Sequence, residues 1–181
     1  GIWRPITWRA YLENVRHLAL GFVSLGLGRG DNVALIGHNR PEGLWAEMAT
    51  LCVGGVAVWL YQDCLIDEVE YIVNHSDARI LVGEGQEEVD KALAIADRCP
   101  KLERIFWDDP KGMRGYADPR LTSLAEVQRL GRELDAREPG RFEGLVNAGS
   151  GQDTALLFYT SGTTAQPKGA LLSHTNMLKM G

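Results

Sequence analysis

The sequence has no run of apolar residues approaching the ~20 that cross a bilayer as a helix. It also has no basic stripe. Acidic residues outnumber basic ones, 24 to 19, for a net charge of −5. Without clustered Lys and Arg to neutralise phosphates, the composition argues against nucleic acid as a partner. Cysteine is scarce. Cys52, Cys64 and Cys99 are odd in number and far apart, so they suit neither a disulfide framework nor a zinc site. A reducing, cytoplasmic compartment is the expectation. No positively charged start followed by an apolar stretch is present, so no secretory signal is expected. There is no internal repeat and no low-complexity tract. The chain opens on Gly1 without an initiator Met and closes on Met180-Gly181 as a new helix begins. Neither end reads as a domain boundary, and a piece of a longer protein is expected.

What the chain does have is alternation. Its 181 residues, 45% of them apolar, suffice for one ordinary domain with a core. Tyr11, Val15, Leu18, Phe22 and Leu25 fall on one helical face, with Gly26 and Gly28 placed to end the helix. Strands are predicted at 32–36, 56–60, 79–82 and 105–107. Helices are predicted at 42–53 with Pro41 in the first turn, at 66–74, 86–98 and 124–136. The unbroken apolar run Val56 to Leu60 is the signature of a strand buried on both faces. Residues 108–119 read as a Pro/Gly/Asp-rich loop, and 149–152 as a turn. Strands alternating with helices imply an α/β fold with mainly parallel sheets flanked by helices. We divide the chain into an α/β lobe, 1–150, and a strand–loop–strand unit, 151–181.

The densest chemistry lies in Tyr159-Thr160-Ser161-Gly162-Thr163-Thr164-Ala165-Gln166-Pro167-Lys168-Gly169. Apolar runs lead in (154–158) and out (170–172), which predicts a polar loop between two buried strands. Backbone N–H groups and hydroxyls donate hydrogen bonds and a lysine adds positive charge, the equipment for gripping phosphate. The loop departs from G-x-x-x-x-G-K-[ST]: counting from Gly162, Pro167 stands where the second glycine belongs, and Gly169 replaces the hydroxyl residue after Lys168. Small, polar and without an apolar anchor between Tyr159 and Pro167, residues 161–167 are expected at the low-stability end of the fold when no nucleotide is bound.

This stretch resembles the phosphate loop of adenylate-forming enzymes, the superfamily of acyl-CoA synthetases, luciferases and peptide-synthetase adenylation domains. Their loop reads roughly Y-T-S-G-T-T-G-x-P-K-G, followed by a short strand and S-H-x-N. Here Gly169-Ala170-Leu171-Leu172-Ser173-His174-Thr175-Asn176 fills the second part. Ala165 replaces the family's glycine; at a φ > 0 position alanine costs roughly 1 kcal/mol or more. Residues 51–61 resemble the family's early L-x-x-G-x-x-x-V-P-L segment. Leu60-Tyr61 with Glu68-Val69-Glu70-Tyr71-Ile72-Val73-Asn74-His75-Ser76 looks most like the long-chain acyl-CoA synthetase branch. The likeness covers most of the chain.

The resemblance implies part of a large N-terminal AMP-binding domain, lacking the C-terminal lid. It implies a two-step ligase. A carboxylate attacks the α-phosphate of ATP to give an acyl-adenylate and pyrophosphate, and coenzyme A then displaces AMP. ATP or AMP, Mg2+ and coenzyme A are the implied cofactors and substrates beside the carboxylic acid. The implied nucleotide-binding residues are Thr160, Ser161, Gly162, Thr163, Thr164, Ala165, Gln166 and Lys168, with Thr164 reaching magnesium through ATP. No catalytic residue is assigned within the chain. The family places the adenine pocket and the adenylation lysine downstream, so the chain alone is expected to be inactive. Aryl and medium-chain acids stay open as substrates, as do a homodimer and peripheral contact with the inner membrane face. The alternative of another class is a catalytically silent α/β module that binds an anion or a partner.

Other candidates are weaker. Gly26-Leu27-Gly28-Arg29-Gly30 mimics a dinucleotide fingerprint but follows a helix and precedes a strand, the reverse of the required order. Gly83-Glu84-Gly85 has the right order, but Glu84, Glu87 and Glu88 would repel a pyrophosphate and better suit a helix N-terminus. His38 reads as a surface-loop histidine and His75 as a helix-end cation. His174 either shapes the site or caps the next helix with Ser173 or Thr175.

Overall fold

The computed structural model describes residues 3–160 and 166–179. The elements follow the predicted alternation. Helix α1 (Trp8–Ser24) is capped by Thr7, whose hydroxyl accepts from Ala10 N–H at 3.2 Å. It buries Val15, Leu18 and Phe22 and half-buries Tyr11 and Leu25, the predicted face. Gly26 follows at φ 98°, the left-handed stop that a side chain would strain. Gly28 takes no such role; its N–H donates to the Asp31 carboxylate at 2.7 Å. β1 (Asn32–Ile36), α2 (Pro41–Cys52), β2 (Val56–Leu60), α3 (Ile66–His75), β3 (Ala78–Gly83) and α4 (Gln86–Ala96) come next. β4 (Arg104–Trp107), β5 (Leu121–Ser123), α5 (Leu124–Arg137), α6 (Arg141–Asn147), β6 (Thr154–Thr160), β7 (Lys168–Ser173) and α7 (His174–Lys179) complete the order. Sequence patterning missed β5 and α6. The first has three residues, too few for a period, and the second is a seven-residue helix that buries only Phe142.

Among the described residues one sheet of seven strands runs β5-β4-β3-β1-β2-β6-β7. Every pairing is parallel except β6 with β7. Parallel strands need helices on both faces, because each strand is apolar on both sides. One core joins Leu18, Phe22, Val33, Leu35, Ala57, Phe106 and Val127 under α1, α2 and α5. The other joins Val58, Val69, Val73, Leu81, Val89, Ile95 and Ile105 under α3 and α4. On the first face α1 and α5 approach closely. A Cβ on Gly131 would lie 1.7 Å from the His17 carbonyl oxygen, and one on Gly21 would lie 2.2 Å from that of Val127.

The expectation of two buried strands around the polar loop holds for one of them. Ala155, Leu156, Leu157 and Tyr159 of β6 are buried. β7 has a single strand neighbour and lies exposed from Lys168 to Leu171, with Leu171 67% exposed.

β1 is flanked by β2 on one side and β3 on the other, so the chain reverses direction across the sheet there. In open parallel sheets ligands bind outside the carboxyl ends of the strands at such a point. A crevice of about 330 Å3 opens there, lined among others by Gly37, His38, Arg40, Glu42, Gly83, Glu84 and Asp108. An ion network lines it. The Glu84 carboxylate accepts from His38 N–H at 2.8 Å and from Arg40 Nη1 at 2.9 Å, and lies 2.8 Å from His38 Nδ1. Arg40 also faces Glu42 and Asp108, each at 3.6 Å. His38 is a surface-loop residue as predicted, with its side chain 63% exposed. Glu88 reaches back to Gly85 N–H at 3.0 Å as a helix cap, and Glu87 pairs with Lys91 at 3.0 Å. The acidic reading of this segment is therefore structural.

Two stability measurements test this frame. Gly131→Ala should cost about 1–3 kcal/mol in urea unfolding, because the added methyl meets fixed backbone. Gly144→Ala in α6, where nothing lies within 4 Å, should be neutral or gain up to about 1 kcal/mol. Burial pushes the Glu84 carboxyl up, but bonds from His38 and Arg40 outweigh it and hold it down to about 2. A depressed carboxyl stabilises the fold above its unfolded pKa of about 4.3 and loses that contribution as pH falls through the folded value. Glu84→Gln should therefore cost about 1.5–3 kcal/mol at pH 7. The variant should also show a shallower loss of stability between about pH 5 and pH 2 in acid-titrated unfolding.

Candidate functional site

β6 and β7 form an antiparallel hairpin whose tip is the polar loop. The ladder pairs Thr154 with Ser173 at the open end and Thr160 with Lys168 at the tip. Residues opposite one another in an antiparallel pair share a face. Thr160 and Lys168 thus lie side by side at the mouth of the loop, and both are exposed. Gln166 is exposed and Pro167 half-buried. The other candidate residues, Ser161, Gly162, Thr163, Thr164 and Ala165, lie outside the described residues, and so does most of the segment expected to be of low stability. The structure therefore brings together Thr160, Gln166 and Lys168 of the predicted set.

Parallel pairing of β2 with β6, through Ala57–Leu156, Val58–Leu157 and Trp59–Phe158, carries the hairpin to the carboxyl ends of the central strands. The β6 entry is fixed by Arg29, whose guanidinium donates to the Ala148 carbonyl and the Asp153 carboxylate, both at 2.6 Å. Gly26 to Gly30, the false dinucleotide fingerprint, is thus the turn that presents this arginine. Beside the hairpin a solvent-open cleft of about 570 Å3 is lined by Gly37, Asn39, Trp59, Leu60, Tyr61, Gln62, Phe158 and Tyr159. Phe158 is 40% exposed, giving the cleft an aromatic wall.

Tyr159 faces an aromatic cluster on α3. The Tyr159 ring is buried against Tyr71 and His75 of α3, with edge-to-face centroid distances of 6.5 and 5.7 Å. Burial, aided by Tyr71, pushes the Tyr159 phenol up to about 12. It keeps its proton at neutral pH, and its oxygen lies 2.7 Å from His75 Nδ1. The Tyr71 hydroxyl donates to the Pro167 carbonyl at 3.2 Å. Gly169 pairs with Tyr159, and a Cβ there would sit 2.8 Å from Leu157 Cδ1 and 3.4 Å from the Tyr159 ring. Glycine at 169 thus makes room for Leu157, with the Tyr159 ring at ordinary contact distance.

Sequence reasoning missed Tyr71, and read His75 only as a cation at a helix end. Their i, i+4 spacing places them on one helix face, but nothing local says that this face meets Tyr159. At the far end Ser173 Oγ accepts from Asn176 N–H at 3.2 Å, and Asn176 Oδ1 accepts from Ser173 N–H at 3.0 Å. Ser173 and Asn176, rather than His174, cap α7. Among the described residues no cluster of three His, Cys, Asp or Glu could hold a metal ion, and no helix is long and apolar enough to cross a membrane.

The chain is similar to known proteins along its whole length. A family model described as AMP-binding enzyme matches residues 1–181. The long-chain-fatty-acid–CoA ligase ACSBG2 of Xenopus laevis is 32% identical over 177 residues, which is 97% of this chain and 23% of the relative. Fatty acyl-CoA synthetase A of Dictyostelium discoideum is 30% identical over 182 residues, 98% of this chain and 26% of the relative. The chain thus spans about a quarter of the length of these curated relatives. Among solved structures, ATP-bound MatB from Rhodopseudomonas palustris is 26% identical with a TM-score of 0.73, covering 97% of this chain and 31% of that one. The A domain of the carboxylic acid reductase from Segniliparus rugosus, in complex with AMP and a co-purified carboxylic acid, shares the fold at a TM-score of 0.77 and 22% identity, over 97% of this chain and 30% of that one. A family match over every residue, with the fold shared by solved structures, establishes that the chain belongs to the family of AMP-binding enzymes.

Proposed function

We propose that this chain supplies the ATP phosphate grip of an AMP-forming acid–thiol ligase acting on long-chain fatty acids. One observation carries the reading: the antiparallel stem sets Lys168 and Thr160 opposite one another at the mouth of the polar loop, both exposed. Both groups donate hydrogen bonds and neither side chain carries negative charge, so the pair fits an anion. The choice of acid rests on the relatives named as fatty acyl-CoA ligases. Aryl and medium-chain acids, and the silent binding module, are the rival readings.

In this reading residues 1–150 frame the site and 151–181 grip the triphosphate; the adenine pocket and the lysine-bearing lid belong to the rest of the complete protein. The acid's carboxylate oxygen attacks the α-phosphorus, forming the acyl-adenylate as the bond to pyrophosphate breaks. Negative charge gathers on the departing pyrophosphate. Donors fixed in advance near that charge stabilise the transition state more than the ground state. Lys168 acts as a point charge, and Thr160, Ser161, Thr163 and Thr164 offer hydroxyl and amide donors. Magnesium would offset charge on the triphosphate. The described residues provide no cluster to hold it, and Thr164, assigned to it through ATP, lies outside them. Coenzyme A enters as the second-step nucleophile. The cytoplasmic location, peripheral membrane contact and homodimer belong to the same reading.

The test is steady-state kinetics of the complete protein with ATP and acid varied separately. A lysine acting as a clamp on the triphosphate contributes roughly 1.5–3 kcal/mol. Lys168→Ala should lower kcat/KM for ATP by about 10- to 150-fold, with a smaller effect on the acid. An unchanged value for ATP would remove the clamp. A pyrophosphate-release screen of unmodified protein against a panel of carboxylic acids identifies the substrate, and release with aryl acids alone would exclude the fatty-acid assignment.

A further inference from the structure

We propose that Tyr71 and His75 are positioning residues that hold the two stems of the phosphate hairpin at a fixed spacing. The proposal rests on reading that hairpin as the ATP grip. Its basis is where the contacts fall. His75 bonds the hydroxyl of Tyr159, one residue before Thr160, and Tyr71 bonds the carbonyl of Pro167, one residue before Lys168. One helix face thus touches both stems of the loop directly beside the two donors.

The Pro167 contact is specific in kind. Proline has no N–H, so the carbonyl is its one backbone hydrogen-bonding group. Pro167 stands just outside the ladder that begins at Lys168. Tyr71 gives that carbonyl its partner and so fixes the tilt of the peptide leading into Lys168. Tyr159 transmits the second constraint. Its ring packs over Gly169 on the opposite strand, and a shift of the ring would move β7 with it.

The direction of control follows from relative rigidity. Among the described residues β7 pairs with β6 alone, and its side chains are exposed from Lys168 to Leu171. By contrast α3 is anchored in the core by Val69, Ile72 and Val73, and Glu70 ties it to Arg98 at 2.6 Å. A rigid helix aligns a less supported hairpin, as preorganised donors require.

The experiment compares five variants of the complete protein, Lys168→Ala among them, reading KM for ATP, KM for the acid, kcat and Tm. Tyr71→Phe keeps the ring and removes one hydroxyl. His75→Ala removes the imidazole, and His75→Asn restores a hydrogen-bonding atom near Nδ1. Glu70→Ala weakens α3 without touching the hairpin. Tyr71→Phe and His75→Ala should each raise KM for ATP by about 2- to 10-fold, the range of a single hydrogen bond. KM for the acid should stay level. His75→Asn should recover most of the loss, and Glu70→Ala should leave KM for ATP unchanged. If Tyr71→Phe and His75→Ala leave KM for ATP unmoved while Lys168→Ala loses ATP use, the positioning role is wrong and the phosphate grip survives. If Lys168→Ala is also silent, the grip fails and the positioning role with it. A parallel rise in both KM values with a fall in Tm, shared by Glu70→Ala, would mean that the two residues only stabilise the helix.

Discussion

The parallel pairing of β2 with β6 is the constraint on which the site depends. It joins residues about a hundred positions apart, Ala57 to Leu156 and Trp59 to Phe158. The cost of closing so long a loop grows only slowly with its length, but it needs compensating burial. Ala155, Leu156, Leu157 and Tyr159 supply it by entering both cores. Arg29 adds a polar latch at the strand's entry. Without this pairing β7 would have no sheet to join, because β6 is its only strand neighbour among the described residues. The chemistry at the tip therefore depends on apolar burial at the stem.

Charge is partitioned in the same way. The sequence carries a net −5, and its acids are taken up by specific partners. Glu84 faces Arg40 and His38, Asp135 faces Arg16 at 2.7 Å, and Glu70 faces Arg98. At the crevice of the switch point this network lines the place where many open sheets bind a ligand. The hairpin mouth is different, since Thr160, Gln166 and Lys168 carry no acid among them. An acidic protein can present a local anion site if its carboxylates are committed elsewhere.

Much of the frame was legible because its signals are local. Strands β1 and β2 show unbroken apolar runs bounded by glycine, and their limits match the predicted 32–36 and 56–60. Helix α1 shows its period and its stop at Gly26. β5 and α6 were illegible, one too short for a period and the other carrying little apolar patterning. The exposure of β7 could not be read either, since Ala170-Leu171-Leu172 looks like any buried strand until its place at the sheet edge is known. At the site the donors announced themselves by type, whereas their supports did not. Tyr71, His75 and Gly169 are ordinary residues locally, and their meaning lies in contacts across the fold.

Those contacts explain why two separated segments both resemble the family. Residues 68–75 lie in α3, and the described part of 159–176 holds the end of β6, β7 and the start of α7. In sequence they are independent patterns. In the fold they make one unit, because His75 bonds the Tyr159 hydroxyl and Tyr71 bonds the Pro167 carbonyl. A larger residue at 169 would press first on the Leu157 side chain, which a Cβ would approach to 2.8 Å. A change at Tyr71 would instead free the Pro167 carbonyl beside Lys168. The resemblance of the helix is thus the counterpart of the resemblance of the loop: in the proposed reading a phosphate grip needs its donors held before the anion arrives, and α3 contributes to holding them through Tyr71 and His75.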